Sequence, residues 1–384
     1  MFDFKLNSEK LKFDKPFLVT TGIMIIFGLI ILYSASTYMA DARFNDPYRF
    51  ILNQLINIII GICGAAFIYF FIDYRKLKKF SFIFITLFII LLIITKIYGD
   101  QQPQLRSSRW LPLGFFNMQT SEFAKLALIL YLASFYSRRA DKLDDFKTGF
   151  LPPLIVVLLT ISLIIIAPDY STGAVIGTIA VVIMFIGGAR IKHLSIFGVL
   201  FALGSAFVII KSPYKLERIT SFFNPSTDLS GTGYQLRQSL ISLGNGGIFG
   251  QGLGSGIQKE LFLPDCHTDF IFSVVGEEMG FIFSTVILFG YLFLYWRSIS
   301  ISMNAQDTFG KLLGIGLSIS MFSYVLINIG VVCGILPVTG LPLPFMSYGG
   351  SATLYNLLAV GLLLNISKYS QKDKNYRRDY IING

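Results

Sequence analysis

The chain is 384 residues long, 54% hydrophobic and only 14% charged, with a mean hydropathy of +0.66. That composition excludes an ordinary soluble domain and points to a chain whose length is taken up by membrane spans. A formal charge of +10 would suit nucleic acid, but basic residues in such a chain must first be read as topology, and three cysteines with two histidines exclude a disulfide framework and a histidine-rich metal site.

The amino terminus MFDFKLNSEKLKFDK is polar and the first apolar run is too long for a cleavable leader, so the first span is expected to stay as an anchor. Apolar runs of spanning length fall at 17–39, 51–72, 81–99, 121–136, 151–167, 172–188, 193–211, 270–296, 309–334 and 349–367, which predicts an all-α polytopic membrane protein of about ten transmembrane helices. The run at 172–188 is short and follows Pro168 and Asp169 closely, which leaves a re-entrant course open there.

Basic residues alternate between the connections. Lys5, Lys10, Lys12 and Lys15 precede the first span; Arg75, Lys76, Lys78 and Lys79 follow the second; Arg138, Arg139, Lys142 and Lys147 follow the fourth; Arg190 and Lys192 follow the sixth. Arg297 follows the eighth, and the tail carries Lys368, Lys372, Lys374, Arg377 and Arg378. The positive-inside rule makes both termini cytoplasmic, accounts for the charge without nucleic acid, and puts 100–120, 168–171, 212–269 and 335–348 outside. Residues 1–384 therefore read as a single transmembrane domain, with 212–269 as a large extracytoplasmic loop between spans seven and eight.

In the first outer segment, Arg106, Arg109 and Trp110 combine positive charge with an interfacial aromatic; Arg109 could meet an anionic headgroup bidentately. Glu122 and Lys125 open the fourth span at i, i+3, as a local ion pair or as the wall of a polar cavity. The aromatics of 212–269 argue for an ordered, partly amphipathic cap, to which Lys211, Lys215, Arg218, Arg237 and Lys259 add further basic candidates. In LGNGGIFGQGLGSG the glycines allow a phosphate-cradling nest, a flexible linker or a tight turn. LPDCHTDFIFSVVGEEMG then brings His267, Thr268 and Asp269 to the lip of the eighth span and puts Glu277 and Glu278 inside it. Intramembrane acids are costly and mark a cavity or a buried pair; the two glutamates read as structural support. Asp269 reads equally as a helix cap or as a catalyst.

The stretch 335–348, ILPVTGLPLPFMSY, has three prolines and no charge, so it cannot continue a helix and is a plausible wall, with Ser347, for a lipid-linked substrate. No GxSxG, HExxH or GxxxxGK[ST] motif occurs. An oxygen-ligated Mg²⁺ or Mn²⁺ on a pyrophosphate stays open.

RWLPLGFFNMQTSEFAKLALILYLA, APDYSTGA, LERITSFFNP, GYQLRQSLISLGNGGIFGQGLG, LPDCHTDFIFSVVGEEMGF and LPVTGLPLPFMSYGGS follow one another in this order along nearly the whole chain. Together they resemble the shape, elongation, division and sporulation polymerases, the family of RodA and FtsW. YQLRQSLISLG, GLGSGIQK and LLNIS are closer to FtsW or its sporulation relative; LPVTG is also at home in RodA. Thr120 stands where the family usually has proline, and Tyr170 and Ser171 replace its common Leu-Gly, which alters helix entry.

The resemblance implies an inverting peptidoglycan glycosyltransferase that polymerises lipid II on the outer face of the cytoplasmic membrane, in division or elongation. It implies Asp269 as the catalytic carboxylate, Glu122 and Lys125 as a polar pair of the cavity, and Asp169 as the acid of the family's Pro-Asp motif. Partners implied are a class B penicillin-binding transpeptidase and other wall-synthesis or division membrane proteins. A lipid II flippase would use a similar charged cavity without making a bond, and a non-catalytic scaffold of the wall-synthesis complex would tolerate loss of Asp269.

Overall fold

The computed structural model describes residues 13–100, 109–112, 114, 117–139, 145–224, 228, 231–260 and 262–383, the last stretch without side chains beyond 370. Lys5, Lys10, Lys12, Arg106 and Lys142, raised above for topology or anion binding, lie outside the described residues.

Twelve α-helices, a five-residue π-helical turn (Phe146–Phe150) and one small hairpin are formed among the described residues. The first three helices are α1 (Lys15–Phe44), α2 (Arg49–Phe71) and α3 (Tyr74–Asp100). A two-stranded antiparallel hairpin, β1 (Trp110–Pro112) and β2 (Asn117–Gln119), follows with Trp110 opposite Gln119. Then come α4 (Thr120–Arg138), α5 (Leu151–Ile166), α6 (Tyr170–Ile186), α7 (Ile191–Lys211), α8 (Pro213–Phe223), α9 (Thr232–Gly246), α10 (Ile271–Met303), α11 (Thr308–Val332) and α12 (Gly350–Asn383).

Eight of these segments are long and apolar enough to cross a membrane. The two others expected to span are α4, which carries Glu122 and Lys125, and the 17-residue α6; charge in one and shortness in the other keep them out of that group. Of the run at 172–188, the residues up to Ile186 lie in one uninterrupted helix, α6. The described residues of 212–269 include the helices α8 and α9, and α9 packs along α10.

α4, α11 and α12 form the interior of the bundle, whereas α7 buries Phe197 alone and packs mainly against its chain neighbours α6 and α8, with His193 against the Phe146 and Phe150 rings. Polar side chains hold the two ends of the bundle. At one end Asp14 caps α1 through Phe17 N (3.0 Å) and receives Arg297 from the end of α10, while Asp307 caps α11 and accepts from Tyr74 at the start of α3. Asn365 of α12 donates to the last carbonyls of α2 there, satisfying groups that a helix end leaves open. At the opposite end lie the starts of α4, α6, α10 and α12 and the proline-rich segment 335–348.

α10 is not a single rod. Gly280 takes φ 74°, ψ −174°, a conformation open to glycine alone, and splits the 33-residue helix into a short upper piece and a long lower one. The break frees backbone groups, and the glycine-rich loop supplies their partners: Gln251 N and Gly252 N donate to Glu277 O and Glu278 O, and Phe281 N donates to Gly247 O, all at 2.9 Å. A Cβ on Gly250, itself at φ 83°, would sit 2.3 Å from Glu278 O. The glycines thus let the loop lie directly on the broken helix.

Candidate active site

The turn before α10 presents Asp269. Phe270 occupies the cap position of α10 and no side chain bonds there, so Asp269 is not the helix cap. Its Oδ1 receives the Thr268 hydroxyl at 2.8 Å, while a Cβ on Gly340 would lie 3.8 Å from Oδ2, which puts the proline-rich segment alongside the carboxylate. Asn328, near the C-terminal end of α11, donates to both Asp269 O (2.7 Å) and Leu341 O (2.8 Å) and so ties turn and segment together.

Asp269 is half-buried, and that burial raises its carboxyl to about 6; the Thr268 hydrogen bond and the charge of Arg218 act in the opposite sense. Arg218 reaches the same segment from α8, donating to Val338 O at 3.2 Å. A carboxylate near neutrality, partly open and weakly hydrogen-bonded, is suited to accept a proton.

A second group stands beside the first. Asp169 accepts from Ser121 (2.8 Å) and Gln119 (3.0 Å), and Arg109 Nη1 lies 3.9 Å from it while its other Nη donates to Pro168 O. Ser171 donates to Thr339 O at 2.9 Å, so this group abuts the same proline-rich segment. Lys215 of α8 is buried over the Tyr170 ring, and burial lowers its ammonium to about 8.

Deeper in the bundle, Lys125 bonds Glu122 at 2.8 Å and sits 3.9 and 3.8 Å above the rings of Tyr324 and Tyr355, with the Tyr324 hydroxyl donating to Glu122. Glu122 and Lys125 are 2% and 1% exposed, so they form a sealed ion pair and not the wall of an open cavity.

Four further candidates are placed as follows. Lys259, a candidate for substrate, is committed to Glu278 at 2.5 Å and to Ser34 at 2.8 Å. The glycine-rich stretch does lead into an anion cradle, but the anion is internal: Ile257 N and Gln258 N donate to the Glu277 carboxylate, joined by Ser242. Ser347 accepts from Leu343 N at 2.8 Å and closes a turn of its own segment. His267 is buried 4.5 Å from the Phe50 ring centroid, and burial lowers it to about 4, so it is neutral near pH 7.

Asn328, Tyr324, Tyr355, Gln119 and Ser121 escaped the sequence analysis. The signal available for Asn328 was a carboxamide inside an apolar span, which is costly unless it has partners. Among the described residues no three His, Cys, Asp or Glu side chains converge to hold a metal ion.

The family model described as cell cycle protein, uniting FtsW, RodA and SpoVE, matches residues 15–372. Stage V sporulation protein E of Bacillus subtilis is 39% identical over 366 residues, covering 95% of this chain and 100% of the relative. The probable peptidoglycan glycosyltransferase FtsW of Trichlorobacter lovleyi is 38% identical over 356 residues, with 93% of each chain covered. Among solved structures, a chain of a peptidoglycan synthase complex superposes with a TM-score of 0.76 at 24% identity, over 94% of this chain and 99% of that one. RodA, the rod shape determining protein of Thermus thermophilus, superposes at 0.68 and 24% identity, over 94% and 98% of the two chains. Matched along nearly its whole length, the chain belongs to the FtsW, RodA and SpoVE family of cell cycle proteins.

Proposed function

We propose that this chain is a peptidoglycan glycosyltransferase that polymerises lipid II into glycan strands, releasing undecaprenyl pyrophosphate, in cell division or elongation. The names of the curated relatives support the activity, and the setting of Asp269 carries the mechanism. Its carboxylate takes the proton from the acceptor's 4-hydroxyl as that oxygen attacks the donor's anomeric carbon; the bond to the lipid pyrophosphate breaks on the opposite face, inverting the centre. Arg109 and Arg218 lie on the side of the proline-rich segment where the leaving pyrophosphate would gather charge, and a guanidinium matches it bidentately. No step here runs through a metal ion.

Topology completes the reading. Arg75, Arg138 and Arg297 gather at the end of the bundle away from Asp269, which supports cytoplasmic termini, an extracytoplasmic site and α4 and α6 as two further spans, giving about ten. Reporter tags at 77, 143 and 384 should read cytoplasm and a tag near 230 the outside; a cytoplasmic signal near 230 would overturn the site. A class B penicillin-binding transpeptidase is the proposed partner, supported by the likeness to a chain of a peptidoglycan synthase complex that coordinates polymerisation with crosslinking. Glycan formation from purified lipid II by the purified chain, alone and with that transpeptidase, tests the activity; substrate movement without polymer would leave the chain a transporter.

A further inference from the structure

Between the last turns of α1 and the glycine-rich loop lies an open cavity of about 350 Å³ that the mechanism above does not use. Ser34, Thr37, Tyr38 and Asp41 line it from one face of α1, at the i, i+3, i+4, i+7 spacing that stacks side chains along a helix, while Lys259 and Glu260 line it from the loop. Its size falls within the range of pockets that bind small ligands.

The charges select what can enter. Lys259 is neutralised within the wall by Glu278, whose Oε1 lies 2.5 Å from its Nζ, so Asp41 and Glu260 leave the lining net negative. A pyrophosphate would meet like charge there. Hydroxyl-rich neutral groups meet complementary ones: carboxylates and the Thr37 hydroxyl accept from sugar hydroxyls, and Tyr38, 48% exposed, offers a ring face to the C–H side of a sugar. The cavity lies close to the turn that carries the site: the Cys266 thiol, three residues before Asp269, bonds Ala35 O at 3.3 Å, directly beside Ser34 on α1.

We propose that this cavity is a subsite for the sugar units of the growing glycan strand, separate from the pyrophosphate side of the site; the glycan is assigned on the glycosyltransferase reading, the preference for a neutral sugar on the lining alone. Holding product sugars beside the site would keep the strand bound between additions and lengthen it.

The test uses the full-length chain in detergent, with a tetramer of N-acetylglucosamine as neutral probe and inorganic pyrophosphate as anionic probe. The tetramer should bind the wild-type chain without competition from pyrophosphate, and Tyr38→Ala and Asp41→Asn should each weaken it about tenfold, about 1.4 kcal/mol, with thermal unfolding unchanged. With lipid II, both variants should shorten the glycan several-fold more than they slow formation of the first bond. Absent tetramer binding, equal binding by the variants, or displacement by pyrophosphate overturns the subsite. If the wild-type chain makes no polymer but the variants still lose the tetramer, the glycosyltransferase reading falls and the sugar site stands.

Discussion

Three carboxylates enter the bundle within ten residues of one another, and their surroundings differ sharply. Glu277 is enclosed by two backbone N–H groups and a serine, and Glu278 by a lysine and a serine. Asp269 has a threonine hydroxyl and a partly open face. Satisfied acids of this kind hold structure, since removing a partner leaves a buried charge exposed to its full desolvation cost. An under-satisfied acid with a raised pKa is available for proton transfer. On the proposed mechanism, the contrast separates the chemistry from its scaffold along a single stretch of chain.

Replacing Asp269 by asparagine should break the contrast most severely. Asparagine keeps the shape but accepts no proton near neutral pH, so polymerisation should fall on the order of 10²–10⁴-fold. The variant should nevertheless unfold no earlier than the wild type at pH 7. Because the folded carboxyl titrates above its unfolded value, its stabilising contribution is complete below the unfolded pKa and lost as pH rises through about 6; a neutral amide escapes that loss. Near-normal glycan synthesis by Asp269→Asn would remove this residue from the mechanism.

Lys259→Ala should act on the scaffold instead. Leaving Glu278 charged and unpaired should lower stability by about 3–5 kcal/mol, seen as early thermal unfolding in detergent, whereas the double change Lys259→Met with Glu278→Gln should recover much of it. Stability equal to wild type in the single variant would mean that the pair is not a support.

Gly280→Ala tests the junction between the two roles. A side chain at φ 74° is strained and its Cβ would meet Gly250 N at 2.3 Å, so a loss of roughly 1–3 kcal/mol is expected, with exposure of the 247–252 loop to protease.

The finest test is the pH profile. Activity should fall tenfold per unit as pH drops below about 6, when Asp269 becomes protonated. Thr268→Val removes a hydrogen bond that favours the charged form, so this acidic limb should move to higher pH; a limb that stays in place would show that another group controls it.

The sequence made the spans legible because about 20 apolar residues in a row have few other uses. The Glu122–Lys125 pair was equally legible, being three residues apart on one helix. What stayed hidden was long-range: Lys259 and Glu278 are separated by a loop and a helix start, and Ser34 comes from α1. Asp269 as cap or catalyst was undecidable by position, and one missing hydrogen bond at the helix start settles the cap. The glycine-rich stretch announced unusual backbone but not its object, which is the broken helix and the Glu277 carboxylate.

The break at Gly280 has a mechanical consequence. Bilayers differ in thickness, and a long span answers by tilting. Both pieces of α10 are fastened to the glycine-rich loop, the upper by the bonds of Gln251 and Gly252 and the lower by those of Phe281 and Ile282, so a tilt of the lower piece is resisted at this clasp. Asp269, on the upper side of that clasp, should keep its place as membranes thicken or thin.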